Sequence, residues 1–170
     1  MPEWRKFAAG PILRRLDVAG VEFVVIGGIA AIAHGSPQIT QDLDIVYATG
    51  AANLERLGRA LQDLNATLRG VTDDVTFVPD ARALKRVRVL TLDTDDGPLD
   101  VMVQPDGSTG YDQLLAGSIE AIVGGTAVRV AGLDDLIAMK RAAGRPKDLL
   151  DIEELEAIRR LRRRIKPKTG

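Results

Sequence analysis

The chain has 170 residues, 45% hydrophobic and 28% charged, with 23 Lys and Arg against 24 Asp and Glu, for a formal net charge of -1. That composition fits a folded domain and excludes both a disordered chain and a uniformly basic nucleic-acid binder. Cysteine is absent and histidine occurs once, which excludes disulfides, thiolate-bound metal, a cysteine nucleophile and a multi-histidine metal site.

The N-terminal stretch lacks an apolar core with a cleavage site, so no signal peptide is expected. The longest apolar run, residues 23–33, is too short to span a bilayer. A cytoplasmic protein with no membrane contact is the expectation. Residues 1–20 are read as a first helix ending near Gly20, with Trp4 as a packing anchor. Residues 21–26 are apolar and rich in β-branched side chains, which predicts a buried strand stopped by Gly27 and Gly28. A short helix over 29–33 follows, broken by Gly35, Ser36 and Pro37. Residues 42–47 predict a second strand. Leu54, Leu57, Leu61 and Leu64 recur at helical spacing over 51–64. Residues 71–79 carry no clear pattern. Two strands over 86–92 and 99–103 flank a turn at Asp95, Asp96 and Gly97, as in a hairpin. A short helix over 111–115, a strand over 126–130 and two helices over 133–143 and 147–164 complete the chain. Strands gathered early and helices gathered late predict one α+β domain over 1–170, with a mixed sheet of four or five strands and two closing helices.

Asp42 and Asp44 lie two apart in a strand, so they share one face, about 7 Å apart along it. Two such acids are either ordinary surface groups or the two sides of a cation site. Repulsion between them raises one pKa unless a cation neutralises it. Asp100 alternates with Leu99 and Val101, so it points away from its strand's apolar face. With neighbouring strands, three carboxylates meet, and oxygen ligands of this kind suit Mg²⁺ or Mn²⁺. Gly27 and Gly28 end a strand and open a helix, where a phosphate can approach backbone N–H groups without meeting a Cβ. Lys140 follows Leu136 by four and Ile137 by three, placing it on the apolar face of its helix. There it either extends past the core to solvent or reaches into a cleft. Asp148 lies on the inward face of the last helix, where it caps the helix, bonds Lys140 or meets a ligand. Asp151 is the alternative for that role.

The run Val25-Ile26-Gly27-Gly28, then residues 30–35, then Thr40-Gln41-Asp42-Leu43-Asp44-Ile45, resembles the first motif of the DNA polymerase β-like nucleotidyltransferase superfamily. The spelling is most similar to the AbiEii/MenT-like toxins of toxin–antitoxin systems and their small relatives. The resemblance extends to Asp100 and through residues 128–152, covering most of 21–155. It implies a nucleotidyltransferase fold. Asp42, Asp44 and Asp100 become metal ligands, Gly27, Gly28, Thr40 and Lys140 nucleotide-binding residues, with Lys140 and Asp148 also further active-site residues. The implied reaction moves an NMP from an NTP such as ATP to an acceptor hydroxyl, with a tRNA 3′ end as acceptor and a cognate antitoxin as partner. Two alternatives are a non-catalytic nucleotide-binding or protein-interaction relative, and a protein-modifying (AMPylating) transferase. Relatives often carry Arg two residues before the Thr of the first motif; this chain has Gln38.

His34, the one imidazole, is read as a cap of the short helix or part of a cleft rim. Arg159, Arg160, Arg162, Arg163, Arg164, Lys166 and Lys168 make residues 159–170 a basic tail. Such a tail is a solvated helix end suited to the dipole, a hold on RNA phosphates, or a dock for an acidic partner.

Overall fold

A computed structural model describes residues 7–72, 74 and 76–165. The element order is α1 (Ala9–Val18), β1 (Phe23–Ile26), α2 (Gly27–Ala33), β2 (Leu43–Tyr47), α3 (Ala51–Asp63), β3 (Thr67–Leu68) and α4 (Ala81–Arg86). Then come β4 (Val89–Thr94), β5 (Gly97–Met102), α5 (Tyr111–Gly117), β6 (Ile119–Val123), β7 (Thr126–Val130), α6 (Leu133–Ala143) and α7 (Asp148–Ile165).

All seven strands join one sheet in the order β3-β4-β5-β2-β1-β7-β6. The β2–β5 and β1–β7 pairs are parallel and the others antiparallel. The sheet is therefore mixed, as the sequence predicts, but wider than the four or five strands expected, with two strands beyond the five located in the sequence. One addition is β3, only two residues long. The other is β6, which forms a hairpin with β7 through Gly124 and Gly125, both at positive φ. Two such residues make the primed turn that matches the twist of paired strands.

Hydrophobic pattern assigns each strand its depth. All four residues of β1 are buried, as a central strand covered on both faces requires. Along β5 burial alternates, with Leu99 and Val101 inward and Asp100 and Met102 half-buried on the other face. The predicted leucine stripe of α3 is buried at Leu54, Leu57 and Leu61. Asn53 is also buried there. Its side chain accepts from Glu22 N–H at 2.7 Å and donates to the carbonyls of Glu22 and Ala48 at 3.0 and 2.8 Å, tying the start of β1 to the end of β2. α1 seats Ile12, Leu13 and Leu16 in the core. A Cβ on Gly10 would lie 2.9 Å from the Gly124 carbonyl oxygen, so helix and hairpin meet backbone to backbone.

Residues 86–88, read as the start of a strand, differ. Arg86 ends α4, whose Asp80 cap accepts from Ala83 N–H at 2.8 Å, and β4 begins only at Val89. The described part of 71–79 belongs to no helix or strand. Trp4, Lys166 and Lys168 lie outside the described residues. Among the described residues no helix is long and apolar enough to cross a membrane.

Candidate active site

Register brings the acids together. β2 and β5 run parallel with Asp44 opposite Asp100, and Asp42 stands one residue before β2. One carboxylate oxygen from each of Asp42, Asp44 and Asp100 lies within 4.8 Å of the others. The side-chain alternation read from sequence places all three on one face.

On the other side of β2, the antiparallel partner of Asp44 is Ile26, the last residue of β1. The chain then turns into α2 at Gly27, with φ +67, and a Cβ there would sit 2.3 Å from Asp44 Oδ2. A Cβ on Gly28 would lie 2.8 Å from Thr40 Cβ. Close approach, together with a left-handed backbone at the first position, explains the two glycines. Thr40 Oγ1 donates to Asp42 Oδ1 at 3.0 Å and so orients that carboxylate.

The electrostatics are lopsided. Burial, then repulsion from Asp42 and Asp100, pushes Asp44 up from 3.8 to about 7. Burial also raises Asp100, although Arg69 opposes it. Arg69 NH2 donates to Asp100 Oδ1 at 2.9 Å and to the Leu92 carbonyl at 2.7 Å, while its Nε donates to Asp93 Oδ1 at 3.2 Å. Asp44 has no such partner among the described residues. Three convergent oxygens with one cation beside them fit a divalent, oxygen-loving metal such as Mg²⁺ or Mn²⁺.

A cleft of about 760 Å³ opens over the acids. Gly27, Gly28 and Thr40 line it on the sheet side, and Lys140, Arg145, Lys147 and Asp151 on the side of the closing helices. Lys140 Nζ donates to Asp151 Oδ2 at 2.8 Å and lies 3.5 Å from Asp148 Oδ1. Asp148 is 1% exposed and stands behind the cleft wall. Its carboxylate accepts from Arg145 N–H at 3.1 Å, Nε at 2.9 Å and NH2 at 3.2 Å. These bonds from Arg145 hold it below the usual carboxylate range. Of the alternatives open at Asp148, two are present: its carboxylate accepts from the Arg145 backbone N–H at the start of α7, and Lys140 Nζ stands 3.5 Å from it; Asp151 lines the cleft itself.

Two residues at this site had no reading from sequence. Arg69 follows a two-residue strand and makes its contacts across 23 to 31 residues of chain, which no local pattern encodes. Arg145 did have a signal, an Arg three residues before an inward-facing Asp at a helix start, but it stands between Gly144 and Pro146 in the gap between the last two helices, where composition predicts only a break.

His34 sits elsewhere. It is 4% exposed and ends α2. Nε2 donates to the Ala131 carbonyl at 2.7 Å, and Arg162 NH1 donates to Nδ1 at 2.7 Å. Burial lowers its pKa, consistent with a neutral ring that accepts from Arg162. Arg159 donates to Asp134 at 2.7 Å. Two arginines of the basic tail thus fasten α7 to the domain.

No family model and no curated protein matches the sequence. Solved structures do match. The solution structure of the antibiotic-resistance factor ANT(2'')-Ia aligns with TM-score 0.54 and 15% identity, over 91% of each chain. Its crystal structure with adenylyl-2''-tobramycin aligns with TM-score 0.56 and 15% identity, over 94% of this chain and 95% of that one. The lincosamide antibiotic adenylyltransferase LnuA, lincomycin-bound, gives TM-score 0.57 and 16% identity, over 87% and 94%. At such identities the likeness is one of fold: α+β with a mixed sheet and a C-terminal helix pair, the nucleotidyltransferase fold predicted from the first motif.

Proposed function

We propose that the chain is a metal-dependent nucleotidyltransferase that moves an NMP from an NTP to an acceptor hydroxyl. The observation that carries this reading is the convergence of Asp42, Asp44 and Asp100 at the mouth of a cleft whose opposite wall is cationic. An acid cluster alone would repel a nucleotide. Facing Lys140, Arg145 and Lys147, it becomes one half of a site for a polyphosphate with its metal.

Asp42, Asp44 and Asp100 would hold Mg²⁺ or Mn²⁺, which when bound neutralises phosphate charge and lowers the pKa of an acceptor hydroxyl. Thr40 fixes Asp42, and Arg69 fixes Asp100. Gly27 and Gly28 leave the sheet-side floor free of side chains where the phosphates would lie. The cationic wall would offset the charge of the departing pyrophosphate. In the reaction, the acceptor oxygen bonds to the α-phosphorus as the bond from that phosphorus to the bridging oxygen of pyrophosphate breaks. The hydroxyl proton leaves with a carboxylate or water.

For the acceptor, the sequence resemblance favours an RNA, with a tRNA 3′ end as target, a toxin role and an antitoxin partner. A different observation favours a small hydroxyl-bearing molecule. The chain aligns over almost the full length of two antibiotic adenylyltransferases. Arg159 and Arg162 are also committed to internal contacts rather than available to RNA phosphates. Incubation with each α-labelled NTP and Mg²⁺, against a tRNA pool, an aminoglycoside and lincosamide panel and the protein itself, separates the readings by where label appears. Label in RNA supports the toxin, label in an antibiotic the small-molecule enzyme, and label in protein an AMPylating enzyme. No transfer to any acceptor, with no pyrophosphate released, overturns the enzyme and leaves a nucleotide-binding relative.

A further inference from the structure

We infer that Arg145, rather than Lys140, is the residue that grips the phosphate tail of the nucleotide, and that Asp148 acts through it as a positioning residue. The inference rests on the nucleotidyltransferase reading and adds which side chain recognises the polyphosphate.

The two candidate cations differ in what they have left to give. Lys140 is 19% exposed, and its ammonium already faces two carboxylates, Asp151 at 2.8 Å and Asp148 at 3.5 Å. Arg145 is likewise met by Asp148 at 2.9 Å, so the two cations differ in exposure and in unspent donors rather than in net charge. Arg145 is 54% exposed and lines the cleft. A guanidinium carries five N–H donors. Nε and one NH2 hydrogen go to Asp148, and the remaining donors are available to a ligand. A planar fork suits phosphate oxygens, which it can meet two at a time.

Arg145 is also held in advance. Its backbone N–H donates to Asp148 Oδ2 at 3.1 Å, and its carbonyl accepts from Asp148 N–H at 2.9 Å. Gly144 before it takes a left-handed turn at φ +63, and Pro146 follows. Main chain and guanidinium are thus both clamped by one carboxylate that is 1% exposed. A long side chain normally loses freedom when it binds; this one has surrendered most of it on folding. A buried acid with its donors provided is then a fixture for the arginine and not a group that meets substrate. Arg145 lines the same cleft as Asp42, Asp44 and Asp100, which puts the fork where phosphates would bridge from the acid cluster to the helix pair.

The test compares ligands that separate the phosphate tail from the nucleoside. ATP, AMP and inorganic tripolyphosphate are titrated by calorimetry into wild type, Arg145→Ala, Arg145→Lys and Lys140→Ala, each in Mg²⁺ and in EDTA. Thermal melts confirm that each variant is folded. Arg145→Ala is expected to weaken ATP and tripolyphosphate about 10- to 100-fold, the range for charged hydrogen bonds, while AMP changes less than about threefold. Arg145→Lys keeps the charge but cannot fork, and should recover only part of the loss. Asp148→Asn should lower the ATP-to-AMP preference in the same direction through a less firmly held Arg145. If Asp148→Asn fails to fold, the Arg145 pair still decides the matter. A purely structural Arg145 would shift ATP and AMP equally, and that result, or ATP affinity within twofold of wild type in Arg145→Ala, overturns the inference. If wild type binds ATP and Lys140→Ala alone loses the preference, the grip belongs to Lys140 and the broader reading stands. If wild type binds no nucleotide at all, both fall.

Discussion

Asp44→Asn should make the metal-free protein more stable at pH 8, by an amount that shrinks as pH falls and vanishes below pH 3.8. Asp44 titrates near 7 in the fold against 3.8 unfolded. For a carboxyl raised in this way, the stabilising contribution of its neutral form is complete below 3.8 and disappears as pH rises through 7. At 1.36 kcal/mol per pH unit, the full shift corresponds to ~4 kcal/mol of ionisation cost above pH 8. The acids border an open cleft, so solvent screening reduces this to ~2 kcal/mol. Asparagine matches the carboxyl in shape without the charge. In EDTA, urea unfolding should therefore show the variant ~2 kcal/mol more stable at pH 8, or about 4–8 °C in Tm for a chain of this size. Below pH 3.8, where Asp44 is neutral in the folded and the unfolded chain alike, the two should agree. Mg²⁺ reverses the order: at a hundredfold excess over its Kd it should add ~2.7 kcal/mol to wild type and nothing comparable to the variant. A difference between the proteins that does not change from pH 5 to pH 8 would refute the claim that Asp44 sits uncompensated among like charges.

Metal affinity of wild type should fall about tenfold per pH unit below 7 and level off above it, because a proton must leave Asp44 before the cation binds; calorimetry at pH 6, 7 and 8 reads this directly. Gly27→Ala should cost at least ~1–2 kcal/mol from its left-handed backbone, and lose metal affinity as well, because the new Cβ displaces Asp44 Oδ2. Gly10→Ala should destabilise the fold in urea even though alanine gains ~1 kcal/mol of helix propensity over glycine, since its Cβ would press on the Gly124 backbone. His34 has a lowered pKa, so its contribution is present above the unfolded value of 6.5 and lost as pH falls through the folded one. Stability of wild type minus His34→Gln should therefore decrease from pH 7 to pH 5, and a flat difference would argue against a buried neutral ring bound to Arg162.

The legible part of the fold was the part written in local periodicity. β1, β2 and β5 have apolar runs or strict alternation, and the leucines of α3 recur at helical spacing, so sequence alone assigned them. The face of each aspartate also followed from period two. What period could not provide was adjacency: that β5 pairs β2 in parallel, with Asp100 opposite Asp44, is set by crossover connections rather than by neighbours in sequence. β6 was available in principle. Ile119-Glu120-Ala121-Ile122-Val123 stands before Gly124-Gly125, a hairpin turn signal, yet its outer strand is half exposed and lacks an apolar run. α4 had its Asp80 cap but only six residues. Arg69 was illegible because its partners are long-range and its strand spans two residues.

The two walls of the cleft solve opposite electrostatic problems by different means. On the helix side every acid is met by donors: Asp148 by Arg145 and Lys140, Asp151 by Lys140. On the sheet side Asp100 alone has a cation, and Asp44 is left to repel its neighbours. Unfilled repulsion is costly in a protein whose whole stability is of order 10 kcal/mol, and the chain could remove it with one amide. The surrounding residues instead maintain it. Gly27 gives up its Cβ so that Asp44 can approach, Thr40 pins Asp42, and parallel register sets Asp100 alongside. Three independent contacts that hold like charges together are the arrangement a divalent cation requires of its oxygen ligands. A structural acid would be arranged as Asp148 is, buried and fully met.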